Sequence, residues 1–137
     1  MEITFEEHDG MVRAVGTGEL ELDSANACAD KLIDHAIQNR ASHFLVDCRR
    51  LEGGFTTLER FTHTDYVCEK ILRAQANGLL DEIYLSVAAS PPILDPDRFG
   101  ETIARSRGID VFVSEHYSEA KAWLETEPAP HSPRPSG

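Results

Sequence analysis

The chain has 137 residues, 41% of them hydrophobic and 27% charged, which suits one compact domain long enough to bury a core. Its 24 acidic residues against 13 basic ones leave a formal charge of −11, the wrong sign for nucleic-acid phosphates or an anionic membrane surface, so a basic partner or a neutral small ligand stays open. Three widely spaced cysteines, a start lacking the basic and apolar regions of a signal peptide, and no apolar run near about 20 residues predict a cytoplasmic protein with reduced thiols and no membrane insertion.

In chain order, EITFEEHDGMVRAVGTGEL predicts two strands joined at Asp9-Gly10, a dipeptide suited to the positive φ angles of a tight hairpin. Gly16 and Gly18 leave the end of the second strand bare, as at a bulge or a close backbone approach. Asp23 reads as the N-cap of a helix whose apolar face carries Ala25, Cys28, Ala29, Leu32, Ile33 and Ala36. HFLVDC is a short, nearly continuous apolar strand of the kind covered on both faces. A long helix is expected from about Thr57 to Ala76, stopped by Asn77-Gly78, with Leu58, Phe61, Cys68, Ile71 and Leu72 as its inner stripe. EIYLSVAAS is another buried strand, and Asp95-Pro96 reads as the cap and first residue of a third helix that ends at Gly108. IDVFVS is the last strand, and Ser114 caps a final helix carrying Ala120, Trp123 and Leu124.

The resulting order is β-β-α-β-α-β-α-β-α, an α/β domain over residues 1–125 with a mostly parallel five-stranded sheet covered by four helices. The segment TEPAPHSPRPSG, residues 126–137, has almost nothing apolar to bury and is expected to be a disordered, Pro-rich tail.

The most specific stretch is GGFTTLE, Gly53 to Glu59. One account is structural: Gly53 and Gly54 turn the chain, Arg49 and Arg50 are solvated, and Thr56 with Glu59 forms a capping box. The other uses the same atoms as an anion or phosphorylation site, with Thr56 or Thr57 at the positive end of a helix and Arg49 or Arg50 folding back to pair with the phosphate. The loop lies at a C-terminal strand edge, where open α/β sheets place ligands. The ASPPILDP loop should emerge at the same edge, so that Phe55, Pro92, Ile93 and Leu94 line a small apolar mouth, unless Ile93 and Leu94 simply staple the third helix.

Other chemistry is thinly represented. His63 and Glu59 share a helix face, but no third ligand sits nearby in sequence, so no metal site or cofactor is expected. Cys48 follows Asp47 without a histidine at partner spacing, and Cys28 and Cys68 lie on inward helix faces, so no catalytic residue is assigned.

ETIARSRGIDVFVSEHYSEAKAWLE pairs a helix ending in Arg-Gly with a short strand reaching Val-Phe and a capped helix closing in Ala-Trp-Leu. With FLVDCRRLEGG, this resembles the SpoIIAA-like family of the STAS superfamily, and the resemblance runs from about Ile3 to Leu124. It implies a STAS-like fold and a role like that of anti-sigma factor antagonists, which bind a kinase-like partner and are switched by phosphorylation. Their Asp-Ser-Ser-Gly pattern falls here on Phe55, Thr56, Thr57 and Leu58, which keeps both hydroxyls and replaces the acid and the glycine. The resulting expectation is a non-enzymatic regulatory protein-interaction module; the alternative is a carrier of a small apolar or lipid-like ligand. The exposed strand of the first hairpin is a candidate homodimer edge.

Overall fold

A computed structural model of the chain describes residues 1–126. Its elements are β1 (Glu2–His8), β2 (Met11–Glu19), α1 (Leu22–Asn39), β3 (His43–Glu52), α2 (Thr57–Ala76), β4 (Tyr84–Ala88), α3 (Phe99–Ser106), β5 (Asp110–Ser114) and α4 (Tyr117–Thr126). The strands form one sheet in the order β1-β2-β3-β4-β5, with β1 antiparallel to β2 and every other pair parallel. This is the predicted order and sheet. Thr126 closes α4, and the rest of the expected tail lies outside the described residues.

Each parallel crossover moves one strand further in the same direction. Crossovers of one hand then deliver their helices to a single face, and α1, α2 and α3 pack side by side there over Val12, Phe44, Leu85 and Val111. The last helix, α4, has no further strand to reach. It folds back over the opposite face, where Ala120 and Leu124 meet Leu45 and Tyr84. Central strands β3 and β4 are thereby covered on both sides, which is why they read as unbroken apolar runs.

The hairpin turn forms at Asp9 and Gly10, whose φ angles of 48° and 82° join the paired residues His8 and Met11. Several boundaries differ from expectation. The first helix begins at Leu22 after Glu21, so Asp23 lies in its first turn, beside the positive helix end, instead of capping it. Asp95 and Pro96 form a turn ahead of α3; the Asp95 carboxylate accepts from the amides of Asp97 and Phe99 and so supports the helix start from outside. Ser114 likewise acts from the end of β5, accepting from the His116 amide and donating to the Glu119 carboxylate.

Strand β3 runs four residues past Cys48. While β2 advances from Val15 to Thr17, β3 advances from Asp47 to Arg50, so β3 carries one extra residue, a bulge. The extra residue resets the alternation and lets Cys48 and Leu51, three apart, join the same cluster. The predicted irregularity beside Gly16 is this register shift.

The inner face of α2 also differs. Cys68, Ile71 and Ala74 are buried, but Leu58, Phe61 and Leu72 are exposed. Arg60, His63, Thr64 and Val67 take the inward positions ahead of Ile71, facing a cavity and not a filled core. Apolar residues alone therefore gave the wrong phase for the first two turns.

Candidate functional site

The loop from β3 into α2 explains the paired glycines. Gly53 has φ +86°, a conformation that side-chain-bearing residues rarely adopt. At Gly54 a Cβ would lie 3.1 Å from the Pro92 carbonyl oxygen, so the bare backbone lets the two loops touch. Thr56 then caps α2: the Glu59 amide donates to its hydroxyl at 3.1 Å, and its own amide donates to the Glu59 carboxylate at 2.9 Å. Thr57 is the exposed first residue of the helix. Arg60, one turn further, donates through Nη2 to the Pro92 carbonyl at 2.9 Å and sits 3.7 Å from Asp95.

Arg49 and Arg50 belong to β3 and not to a loop. Arg49 stacks over the Tyr117 ring, 4.2 Å from its centroid, on the α4 face of the sheet and thus opposite α2. Its guanidinium also donates twice to Asp47, at 2.9 and 2.8 Å, and Arg13 donates to the same carboxylate at 2.8 Å. Burial works against charge on Asp47, but these bonds and one from the Arg49 amide outweigh it and hold the carboxyl well below its usual range. Arg50 is exposed and makes no ion pair among the described residues. The structure therefore brings Gly53, Gly54 and Thr56 together in the loop that leads into Thr57, and commits Arg49 to Asp47 and Tyr117 on the opposite face of the sheet.

A cavity of about 290 Å³ lies between the sheet and the three helices on its first face. Cys28 and Leu32 of α1, Val46 and Cys48 of β3, and Val67 and Ile71 of α2 form much of its wall. Phe55, Ile93 and Leu94 are among its lining residues; Pro92 is not, and it is turned toward Gly54 and Arg60. The expected small apolar mouth is part of a larger apolar cavity.

Polar groups gather at one end. His63 lines the cavity, and its Nδ1 lies 2.7 Å from Asn26 Oδ1. Burial pushes its pKa down to about 4, so the ring is neutral at pH 7. Neutrality and the Asn26 oxygen together place the ring proton on Nδ1 and leave Nε2 as an acceptor. Arg60 also lines the cavity, and its Nε–H is buried without a hydrogen-bond partner. Asp95, Arg98 and Glu101 complete this end.

The remaining candidates settle into structural roles. Burial raises the Cys28 thiol and pushes Cys48 up to about 12, which leaves both poor nucleophiles at neutral pH. Among the described residues, no group of three or more His, Cys, Asp or Glu side chains is placed to hold a metal ion, and no helix is long and apolar enough to cross a membrane. Glu59 is occupied by the capping box and His63 by Asn26, so that pair does not converge.

Outside the cavity, α2 and α3 present an apolar ridge. Leu58 is 73% exposed, Phe61 42% and Phe99 37%, with the two phenylalanine rings 6.3 Å apart. Sequence reasoning missed this surface because it assigned Leu58 and Phe61 to the core. It also missed Arg13, Asn26, Arg60 and Tyr117. Arg13 carried a signal, a lone cation between apolar Val12 and Ala14; the others gained their roles only from long-range packing.

Sheet order, the three-plus-one helix arrangement and the loop before α2 define the SpoIIAA-like STAS fold. An anti-sigma factor antagonist from Mycobacterium paratuberculosis, known from its crystal structure, is similar over 90% of this chain and 93% of its own, with a TM-score of 0.54 and 18% sequence identity. That identity speaks for the fold alone. No family model matches the chain, and no curated protein matches it.

Proposed function

We propose that the chain is a regulatory protein-interaction module, without chemistry of its own, that docks through the first turns of α2 and the adjoining start of α3. The observation that carries this reading is the Leu58–Phe61–Phe99 ridge, three large apolar side chains grouped on the surface of a strongly acidic protein. A partner surface with an apolar groove and a basic rim would suit it. The similarity to a structure described as an anti-sigma factor antagonist supports a protein partner. Thr57, exposed beside the ridge, is the better placed of the two threonines for a phosphate, since the Thr56 hydroxyl is held in the cap. A phosphate there adds roughly −1.5 to −2 charges and would favour a basic partner.

Crosslinking in the source cells tests this directly. A specific adduct of the native chain should vanish in the Leu58→Asp, Phe61→Asp double variant and persist in Leu79→Asp, an exposed leucine at the other end of α2. Adducts retained by the double variant, with its melting temperature unchanged, would refute docking at this ridge.

A second reading, a carrier of a small apolar ligand, is favoured by one specific observation, the apolar cavity of about 290 Å³. Its size is near the lower end of ligand pockets, about 300 Å³.

A further inference from the structure

The sheet ends at β1 on one side and at β5 on the other, and the two edges are finished differently. Along β5, the backbone groups of Val111 and Val113 that point away from β4 are taken up by α3. Arg105 Nε donates to the Val111 carbonyl at 2.8 Å, Arg98 donates to the Val113 carbonyl, and the Val113 amide donates to Glu101 at 2.6 Å. Side chains thus stand where a further strand would have to pair.

No such cover lies along β1. In a two-residue hairpin the residues flanking the turn form a hydrogen-bonded pair, so His8 bonds Met11 and alternation puts Glu6, Thr4 and Glu2 in bonded pairs too. Ile3, Phe5 and Glu7 therefore turn their amides and carbonyls outward. Among the described residues no other strand takes these groups up, and the side-chain bond nearest them, from Cys28 Sγ, goes to the Met1 carbonyl ahead of the strand.

The side chains say which strand fits. Phe5 stacks on His35 of α1 at 4.5 Å, so Ile3 and Phe5 face the helices, while Glu2, Thr4 and Glu6 project from the other face. Arg13 is shared between Glu6 and the buried Asp47. Glu2 makes no ion pair among the described residues, and Glu7 lies 3.7 Å from His35 Nε2. Carboxylates on an edge repel a strand of like charge, a second copy of this acidic chain included. They attract one that sets cations beside Glu2 and Glu6 and aliphatic side chains beside Ile3 and Phe5.

We propose that β1 is a docking edge, separate from the α2 ridge, for an extended segment of a partner protein in which lysine or arginine alternates with aliphatic residues. Main-chain bonds to Ile3, Phe5 and Glu7 hold the segment as an added strand, and Glu2 and Glu6 select its charge.

The test is an NMR titration of the whole chain at pH 7 with amide exchange as the readout. Three capped peptides serve as probes: Lys-Val-Lys-Val-Lys-Val-Lys, its counterpart with glutamate for lysine, and its counterpart with proline for valine. Laid antiparallel, the first sets valines opposite Ile3, Phe5 and Glu7 and lysines opposite Glu2 and Glu6. It should bind saturably and slow exchange at the Ile3, Phe5 and Glu7 amides at least about tenfold, with Thr4 and Glu6, already bonded to β2, little changed. The other two peptides should bind at least about tenfold more weakly, one for want of charge attraction and one for want of donors. Raising salt from 20 to 500 mM should weaken the basic peptide, the opposite of what repulsion between two copies gives. Glu2→Gln with Glu6→Gln should weaken it about fivefold. Glu7→Pro should abolish binding with the melting temperature kept, because the amide it removes bonds nothing in the free chain. A proline peptide that binds as tightly as the valine peptide, an acidic peptide that binds as tightly as the basic one, or slowed exchange at Thr4 and Glu6 instead overturns the inference. So does protection of Ile3, Phe5 and Glu7 that grows with protein concentration alone, which would give the edge to a second copy. The peptide comparison on the native chain decides the matter even if a variant fails to fold.

Discussion

At the scale of single residues, one buried and one half-buried ionisable group, Asp47 and His63, link stability to pH in different windows. Asp47 is 1% exposed and held by Arg13 and Arg49, which keep it ionised in the folded state. Its folded pKa lies below the unfolded value, about 3.9, so its contribution is complete above that value and is lost as pH falls below it. Asp47→Asn removes the charge that both guanidiniums face and should cost about 3 kcal/mol. Urea unfolding at pH 7 measures that cost, and the variant should be less sensitive than the native chain between pH 4 and 2. His63 acts in a higher window. Burial lowers its folded pKa to about 4, whereas the unfolded chain takes up a proton near pH 6.5. Stability should therefore decline as pH drops through 6.5 toward 4, with a slope of up to about 1.4 kcal/mol per pH unit. His63→Leu should flatten that slope, and unfolding midpoints at pH 7, 6 and 5 would reveal a failure to do so. Neither environment was legible in the sequence. Asp47 is bonded by Arg13 from another strand, and His63 is half-buried on a helix face whose polar residues conceal its phase.

At the scale of elements, α2 carries most of the functional argument and its start was the best-read feature of the chain. Thr56, Glu59 and the preceding glycines predicted the capping box, because a cap is a local arrangement whose atoms all lie within four residues. Thr56→Ala should destabilise the domain by about 1 kcal/mol, while Thr56→Ser should retain the native midpoint in urea. Equal losses in both would mean that the threonine methyl, and not the hydroxyl, matters. The course of β3 was harder to read. Its apolar pattern stops at Arg49-Arg50, yet the strand continues to Glu52, because a bulge supplies the extra residue and Leu51 returns to the apolar side. A period-two pattern cannot be followed through a bulge without knowing its position. The same limit hid the cavity: its wall residues read as ordinary core, since an empty space leaves no mark on the residues that border it.

At the scale of the whole molecule, element order sufficed for the topology. Strict alternation after the first hairpin leaves few ways to build a parallel sheet, and crossovers of one hand place three helices on one face. What order does not determine is how the sheet ends. Strand β1 is an edge, and pairing of two such edges was the candidate route to a homodimer. Along β1, Glu2, Glu6 and Glu7 are exposed, and the chain as a whole carries −11. Antiparallel pairing of two copies would bring these carboxylates near one another in a strand of only seven residues, and like charges on paired strands oppose association. Glu6 is partly neutralised by Arg13 at 3.0 Å and Glu7 lies 3.7 Å from His35 Nε2, while Glu2 makes no ion pair among the described residues. Salt screens such repulsion within about 10 Å at 0.1 M, so any pairing through β1 should strengthen as salt is added. Sedimentation at 20 mM and 500 mM salt should therefore show a monomer at low salt, with any dimer confined to high salt. Glu2→Lys together with Glu7→Lys should shift dimerisation to lower salt. A stable dimer at low salt, unaffected by the double variant, would place the self-association surface elsewhere than β1.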